Sequence, residues 1–421
     1  MVVATAASFI PSLPLSTRSM ASQPLAAQPL ADYPLIFRRY ILRNLQISLE
    51  QVRQSGDTLA EAIQQQALHI LDFALRFEES WPILRELLLH LSPFMERLGE
   101  YRRWLAYLTQ ALALCRRCHD QEAEARLTWT AGVLSRRLGD LLTAEHYLQQ
   151  SQTLAAALLH EQRLRANALT ELAHVIQMQH RLVEAKALIQ QAHTLLSPDD
   201  PLRAPGYSVL GDVFFEEQNW AAAAALTEQA IALWNAHGQR VFAASGWRGL
   251  ARIRWRQGDA SAAVACYERA IACYEASHEQ VQQAITCVGL GGIYAGLADG
   301  AQALLWLAQA EQILLPLQDT YHLAMLYTNY GIAYRLLRQW PQAVDALHKS
   351  LAYAQELGDQ ERQVNGLTEL AIVYQAWEQV SQARHTLIQA QNLLDQLSTW
   401  PDAAHYQALI TQMLQTLPPP E

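Results

Sequence analysis

Lysine is almost missing from this 421-residue chain: Lys186 and Lys349 stand alone, and arginine carries the rest of the basic charge. Acidic residues outnumber basic ones, 40 to 31, leaving a formal net charge of −9. That balance argues against nonspecific nucleic-acid binding, which rests on neutralising phosphates. The arginine bias reads first as genome composition, with bidentate recognition of carboxylates as the sharper alternative. Cysteine is sparse and odd in number (Cys115, Cys118, Cys266, Cys273, Cys287), which excludes a disulfide framework. No run of about eighteen apolar residues occurs, so no segment is expected to span a membrane. The opening stretch MVVATAASFIPSLPL has no Lys or Arg before Arg18 and so lacks the charged start of an export signal. A cytoplasmic location is the expectation.

Catalytic signatures are equally scarce. There is no G-x-x-x-x-G-K-[ST], no H-E-x-x-H and no nucleophile elbow. Cys115-Arg-Arg-Cys118-His119 matches the C-x-x-C-H pattern of c-type haem attachment. Without an export signal or a second cysteine pair, it reads better as two helix thiols and a turn histidine than as a haem or zinc site. The 14 histidines form no ligand cluster, and several fall at the ends of repeated segments (His119, His160, His237, His278), where they can meet terminal carbonyls. No catalytic residue, metal ligand or cofactor is expected, and the chain is not expected to be an enzyme.

What the chain has in abundance is repetition. The stretch Trp247–Ala276 carries two apolar stripes at three-and-four spacing, one through Trp247, Leu250 and Ala251, the other through Ala263, Tyr267, Ala270, Ile271 and Tyr274. Gly258-Asp259 between them is turn chemistry. Alanines open each second helix at positions 144, 185, 223, 263, 303, 343 and 383, at intervals of 41, 38, 40, 40, 40 and 40. Twelve residues before each lies another small residue: Gly132, Ala173, Gly211, Ala251, Gly291, Gly331 and Ala371. Three residues further on an aromatic is frequent, as at Phe214, Tyr294, Tyr334 and Tyr374. Small residues at both slots let the helices of a unit approach closely. A weaker copy, with Trp104 in the alanine slot, begins near Leu84.

The pattern small–x₂–aromatic–x₈–Ala, as in Gly331–Tyr334–Ala343, resembles the tetratricopeptide repeat, or TPR. The resemblance covers about eight units between residues 84 and 397. Units near forty residues exceed the usual 34 and look like the longer-helix variety of kinesin light chains and of the sensor arms of bacterial signal-transduction regulators. It implies an all-α fold, a right-handed TPR-type α-solenoid of antiparallel helix pairs. The proline-bearing segment 1–33 is expected to be a disordered tail, 34–83 N-terminal capping helices, and 398–421 a C-terminal capping helix and tail. Ser197-Pro198-Asp199-Asp200-Pro201, where the interval shrinks to 38, is expected to form a longer loop.

In TPR arrays the first helices line the concave face, where protein or peptide partners bind. Carried over by repeat position, that face in the fifth unit holds Ser245, Arg248, Arg252, Trp255 and Arg256, residue types enriched in binding hot spots. The next unit places Val288, Gly289, Gly292, Ala295 and Gly296 there, and extra helical glycines would leave room for a ligand to reach the backbone. Thr328, Asn329 and Arg335 would form the far wall. The expectation is a cleft for an acidic protein or peptide segment, with no nucleic-acid or membrane partner; oligomeric state is not legible. In the competing reading the glycines merely relieve crowding, and Asp212 and Glu216 of the fourth unit pair with Arg252 and Arg256. A second basic-aromatic cluster comprises Arg126, Trp129, Arg136 and Arg137. The expected role is an adaptor or scaffold; the alternative is a ligand-sensing arm acting on a separate effector.

Overall fold

The computed structural model describes residues 35–56, 59–158, 160–397, 400 and 402–418. The tail expected over 1–33 lies outside these residues. Among the described residues there are nineteen α-helices and no strand, and the chain divides into a unit ending at Phe94 and a larger one beginning at Met95.

In the first unit, α1 (Leu35–Gln54) buries Ile41, Leu45, Leu49 and Val52, a three-and-four stripe that makes one face of the helix apolar. Helix α2 (Glu61–Ala74) contributes Leu68 and Leu71, and the start of α3 (Trp81–Arg97) adds Leu84, Leu87, Leu88 and Leu91. Arg38–Glu79 and Arg53–Glu86, both at 2.9 Å, tie these segments at the surface.

The second unit continues with α4 (Tyr101–Arg117) and then seven helix pairs in register. They are α5 (Gln121–Arg137) with α6 (Leu141–Ala157), α7 (Gln162–Met178) with α8 (Leu182–Thr194), and α9 (Arg203–Glu216) with α10 (Trp220–Ala236). There follow α11 (Arg240–Arg256) with α12 (Ala260–Ala276), α13 (Gln280–Gly296) with α14 (Gly300–Leu317), α15 (Thr320–Leu336) with α16 (Trp340–Glu356), and α17 (Gln360–Ala376) with α18 (Val380–Leu394). Helix α19 (Ala403–Thr416) closes the unit, burying Ile410 and Met413 in the cluster that α17 and α18 supply.

The turn inside each pair follows from local chemistry. Gly258 takes φ +80°, and its N–H and that of Asp259 close the end of α11 on Trp255 and Arg254 carbonyls. The Asp259 carboxylate then accepts the Ala262 N–H at 3.0 Å and starts α12. Asp140, Asn219 and Asp299 repeat this cap. The small slots work as expected. A Cβ on Gly132 would sit 2.6 Å from the Leu148 side chain, and one on Gly291 2.8 Å from Leu307, so only glycine lets these helices close. Asp200 pins the longer loop between α8 and α9 by accepting the Leu202 N–H and pairing with Arg163.

Within this unit the first helices of successive pairs lie against each other, α5 on α7, α7 on α9, α13 on α15 and α15 on α17, whereas second helices of successive pairs barely touch. The stack is therefore packed tighter on its first-helix side, the inner side of a curved α-solenoid. Two intervals break the rule: α11 makes almost no backbone approach to α9 or to α13.

Candidate functional site

One position, four residues after the small slot, bears on how successive first helices meet. Its occupants are Arg136, Gln177, Phe215, Trp255, Ala295 and Arg335, and the five larger ones each reach the following first helix or its carboxy-terminal turn. Arg136 pairs with Glu171 at 3.1 Å, Gln177 donates to Glu216, and Arg335 lies 4.0 Å from Glu369. Phe215 receives the Arg252 guanidinium over its ring at 5.0 Å, and Trp255 lies against Gly296. Where the residue is Ala295, α13 and α15 come together; where it is Phe215 or Trp255, an aromatic wedge keeps the helices apart. Helix α11 thus stands between two aromatic side chains, and the arginine-rich face read from the sequence is on this helix.

On that face Arg248 donates to Gln282 of α13 at 3.1 Å. Arg252 and Arg256 are exposed, and among the described residues neither has a carboxylate within salt-bridge distance. Among the described residues neither Asp212 nor Glu216 lies within salt-bridge distance of these two arginines, although the Arg252 charge acts on Asp212. Glu216 turns instead to the preceding unit, where Gln177 and, at 2.9 Å, His180 hold it. The fourth arginine of α11, Arg254, points to the other side and pairs with Glu228 of α10 at 2.5 Å.

Asp212 is left without a hydrogen bond or ion pair among the described residues. It is half-buried and keeps partial contact with solvent. Burial pushes its carboxyl up to about 6, Glu216 adds to the rise, and the Arg252 charge opposes it. The equivalent residue of α7, His174, is held down to about 4 by burial, with Arg136 lowering it further against Glu171. In both groups burial is the largest cause, and a neighbouring like charge, Glu216 for Asp212 and Arg136 for His174, adds to the shift toward the neutral form.

The glycines expected to open the floor are covered. A Cβ at Gly296 would lie 2.8 Å from the Trp255 indole, one at Gly289 2.9 Å from the Tyr267 ring, and one at Gly292 3.2 Å from the Asn329 amide. They accommodate neighbouring side chains, as the crowding argument anticipated. The far wall is likewise engaged within the stack: Asn329 donates to the Val288 carbonyl at 3.2 Å, Thr328 shares a 2.7 Å bond with Ser350, and Arg335 faces Glu369.

The second cluster is a set of ties between units. Arg126 meets Glu161 at 2.8 Å and Glu122 at 3.3 Å, Arg136 meets Glu171, and Arg137 donates to the Tyr101 hydroxyl at 3.3 Å with Glu96 at 3.6 Å. Trp129 is half-buried and its indole N–H has no acceptor among the described residues. Glu122, His160 and Glu161 could place three ligand atoms within 4.8 Å of one another, and the Arg126 guanidinium already pairs with both carboxylates. In the C-x-x-C-H segment, Cys115 is buried, its thiol donates to the Asp120 carbonyl at 3.0 Å, and burial pushes it up to about 12. Of the turn histidines, His119 and His278 hold left-handed backbone angles, and His237 reaches the Asp199 carbonyl of another loop at 3.2 Å.

The fold is that of a TPR-like α-solenoid repeat protein. No protein-family model matches the chain, and no curated protein matches it in sequence. Among solved structures it is similar to a Rap protein complexed with competence and sporulation factor, with a TM-score of 0.55 at 13% identity over 90% of this chain and 98% of the other. It is also similar to aspartyl phosphate phosphatase F from Bacillus subtilis, with a TM-score of 0.54 at 12% identity over 84% and 93%. A STAND protein with a tetratricopeptide repeat sensor from Pyrococcus horikoshii gives 0.52 at 14% identity over 91% and 66%. At such identities the likeness is one of fold. No described helix is long and apolar enough to cross a membrane.

Proposed function

We propose that the chain is a non-catalytic adaptor or scaffold that binds a protein or peptide segment on its first-helix face, centred on α11. The observation that carries this reading is the arginine-rich face of α11, where Arg252 and Arg256 are exposed and, among the described residues, have no carboxylate within salt-bridge distance. Arg252 and Arg256 would take carboxylates of an acidic segment, with Arg248 joining if it releases Gln282, and Trp255 would offer its indole edge. Gly292, Gly296 and Asn329 act behind them by setting where Trp255 and α13 sit, whereas Arg335 faces Glu369 and lies outside the proposed contact. Arg126, Trp129, Arg136 and Arg137 are inter-unit ties and fall outside the proposed contact.

The test is capture from native lysate on immobilised protein, comparing the natural chain with Arg248→Glu/Arg252→Glu/Arg256→Glu and checking both by circular dichroism. A partner lost only from the folded variant supports the reading; equal retention overturns it. The aromatic wedges also favour a second reading, a sensing arm in which a ligand changes the spacing around α11 and so the association with an effector. Ligand-induced compaction in small-angle scattering, without a stable protein partner, would select it.

A further inference from the structure

Away from α11, helices α16, α17 and α18 border a cavity of about 470 Å³, within the size range of small-molecule sites. Leu370 is buried and Leu351 and Leu367 are half-buried, which makes the floor apolar. His348 and His385 are exposed at the rim, with the half-buried Tyr374 beside the same space. Among the described residues neither imidazole nor the Tyr374 hydroxyl makes a hydrogen bond, and no carboxylate, lysine or arginine lines the cavity.

The repeat register shows what is different here. Leu367 stands sixteen residues before its second-helix alanine, a position that holds a ring in three earlier units: Tyr207, Trp247 and Tyr327. Each ring engages a flanking second helix. Tyr207 lies edge-on to His193 at 4.7 Å, and Trp247 carries the Arg269 guanidinium over its face at 4.3 Å. Tyr327 stacks on Tyr353 at 5.8 Å and donates to Glu311 at 2.7 Å, with Lys349 over its ring at 5.4 Å. Where the position is Cys287, Trp306 packs on the core instead. Leu169 of α7 is the one other leucine, and it is buried against Ala192 and Leu196. Around α17 the ring of Tyr327 becomes Leu367, the cation over it Gln389, and the carboxylate bonded to it Leu351. All three fillers of the preceding gap are shortened or lost together.

We propose that this cavity binds a small planar aromatic acid. Its ring takes the place that Tyr327 fills in the unit before, face down on the three leucines. Its carboxylate accepts N–H bonds from His348 and His385 and the O–H of Tyr374, and meets no like charge from the lining residues. The site lies apart from the arginines of α11 and does not rest on the peptide-binding reading.

Isothermal titration of the full chain at neutral pH with 2-naphthoate, 2-naphthamide and octanoate tests this. The aromatic acid is expected to bind about tenfold more tightly than either the neutral amide of the same shape or the aliphatic acid, a difference of about 1.4 kcal/mol. His348→Ala/His385→Ala is expected to lower naphthoate to the level of naphthamide while leaving naphthamide unchanged. Leu367→Trp, which restores the ring found at Trp247, is expected to abolish binding of both, with circular dichroism checking the fold. Should that variant not fold, the histidine pair decides alone. No binding up to millimolar concentration, equal affinity for acid and amide, tighter binding of octanoate, or unchanged binding by folded Leu367→Trp would each overturn the proposal.

Discussion

Asp212 shows at single-residue scale how a repeat protein sets a group aside from its own packing. Its carboxyl ordinarily titrates near 4 and is held up to about 6 in the folded chain. Between those values the folded state binds more protons than the unfolded one, so this residue makes stability fall as pH rises, with the loss complete above about pH 7. Asp212→Asn is accordingly expected to be more stable than the natural chain by about 2 kcal/mol at pH 7.5, with the gap closing toward pH 4. Urea melts at the two pH values would show it, and a pH-independent difference would contradict it. Ala298 is another residue held against its preference. It ends α13 at φ +60°, a left-handed conformation that L-residues resist by about 1–2 kcal/mol. Ala298→Gly should raise stability by about 0.5 kcal/mol once the added freedom of the unfolded glycine is subtracted, measured by the same melts.

At the scale of the element, the aromatic rings of Phe215 and Trp255, four residues past the small slot, mark the intervals where the first helices stay apart. Trp255→Ala should let α11 and α13 draw together or leave a hole beside Gly296, weakening the stack by roughly 2 kcal/mol. Gly296→Ala, which meets the same indole at 2.8 Å, should destabilise as well. Urea denaturation of both would test the wedge; neutral substitutions would mean the spacing is set elsewhere. Much of this architecture was legible beforehand. The slots at Gly132 or Gly331 and the turn at Gly258-Asp259 depend on contacts within one unit, which a repeat period reveals directly. Relations between units were harder to see. Trp255 stood out by its type, yet nothing in the residues alone indicated that its ring would cover Gly296, so the glycine looked open. Glu216 was matched to Arg256 by position, whereas Gln177 and His180 of the unit before claim it. The left-handed histidines, His119 and His278, resembled carbonyl-binding caps because glycine is the usual sign of that geometry.

At the scale of the larger unit, neighbouring repeats are joined by apolar packing and by a recurring set of charged ties, Arg136–Glu171, Arg181–Glu145 and Lys186–Glu217 among them. Most of these are partly exposed, so each contributes modestly, and together they fix orientation more than strength. They thin out around α11, where ring contacts and single hydrogen bonds take their place. That uneven distribution gives the array a mechanical profile. Under a load applied to the ends of this unit, abutting first helices would resist directly. On either side of α11 the resistance would fall to the continuous apolar core that runs from α10 to α16, so that the array would flex there by shear of side chains rather than by parting of helices.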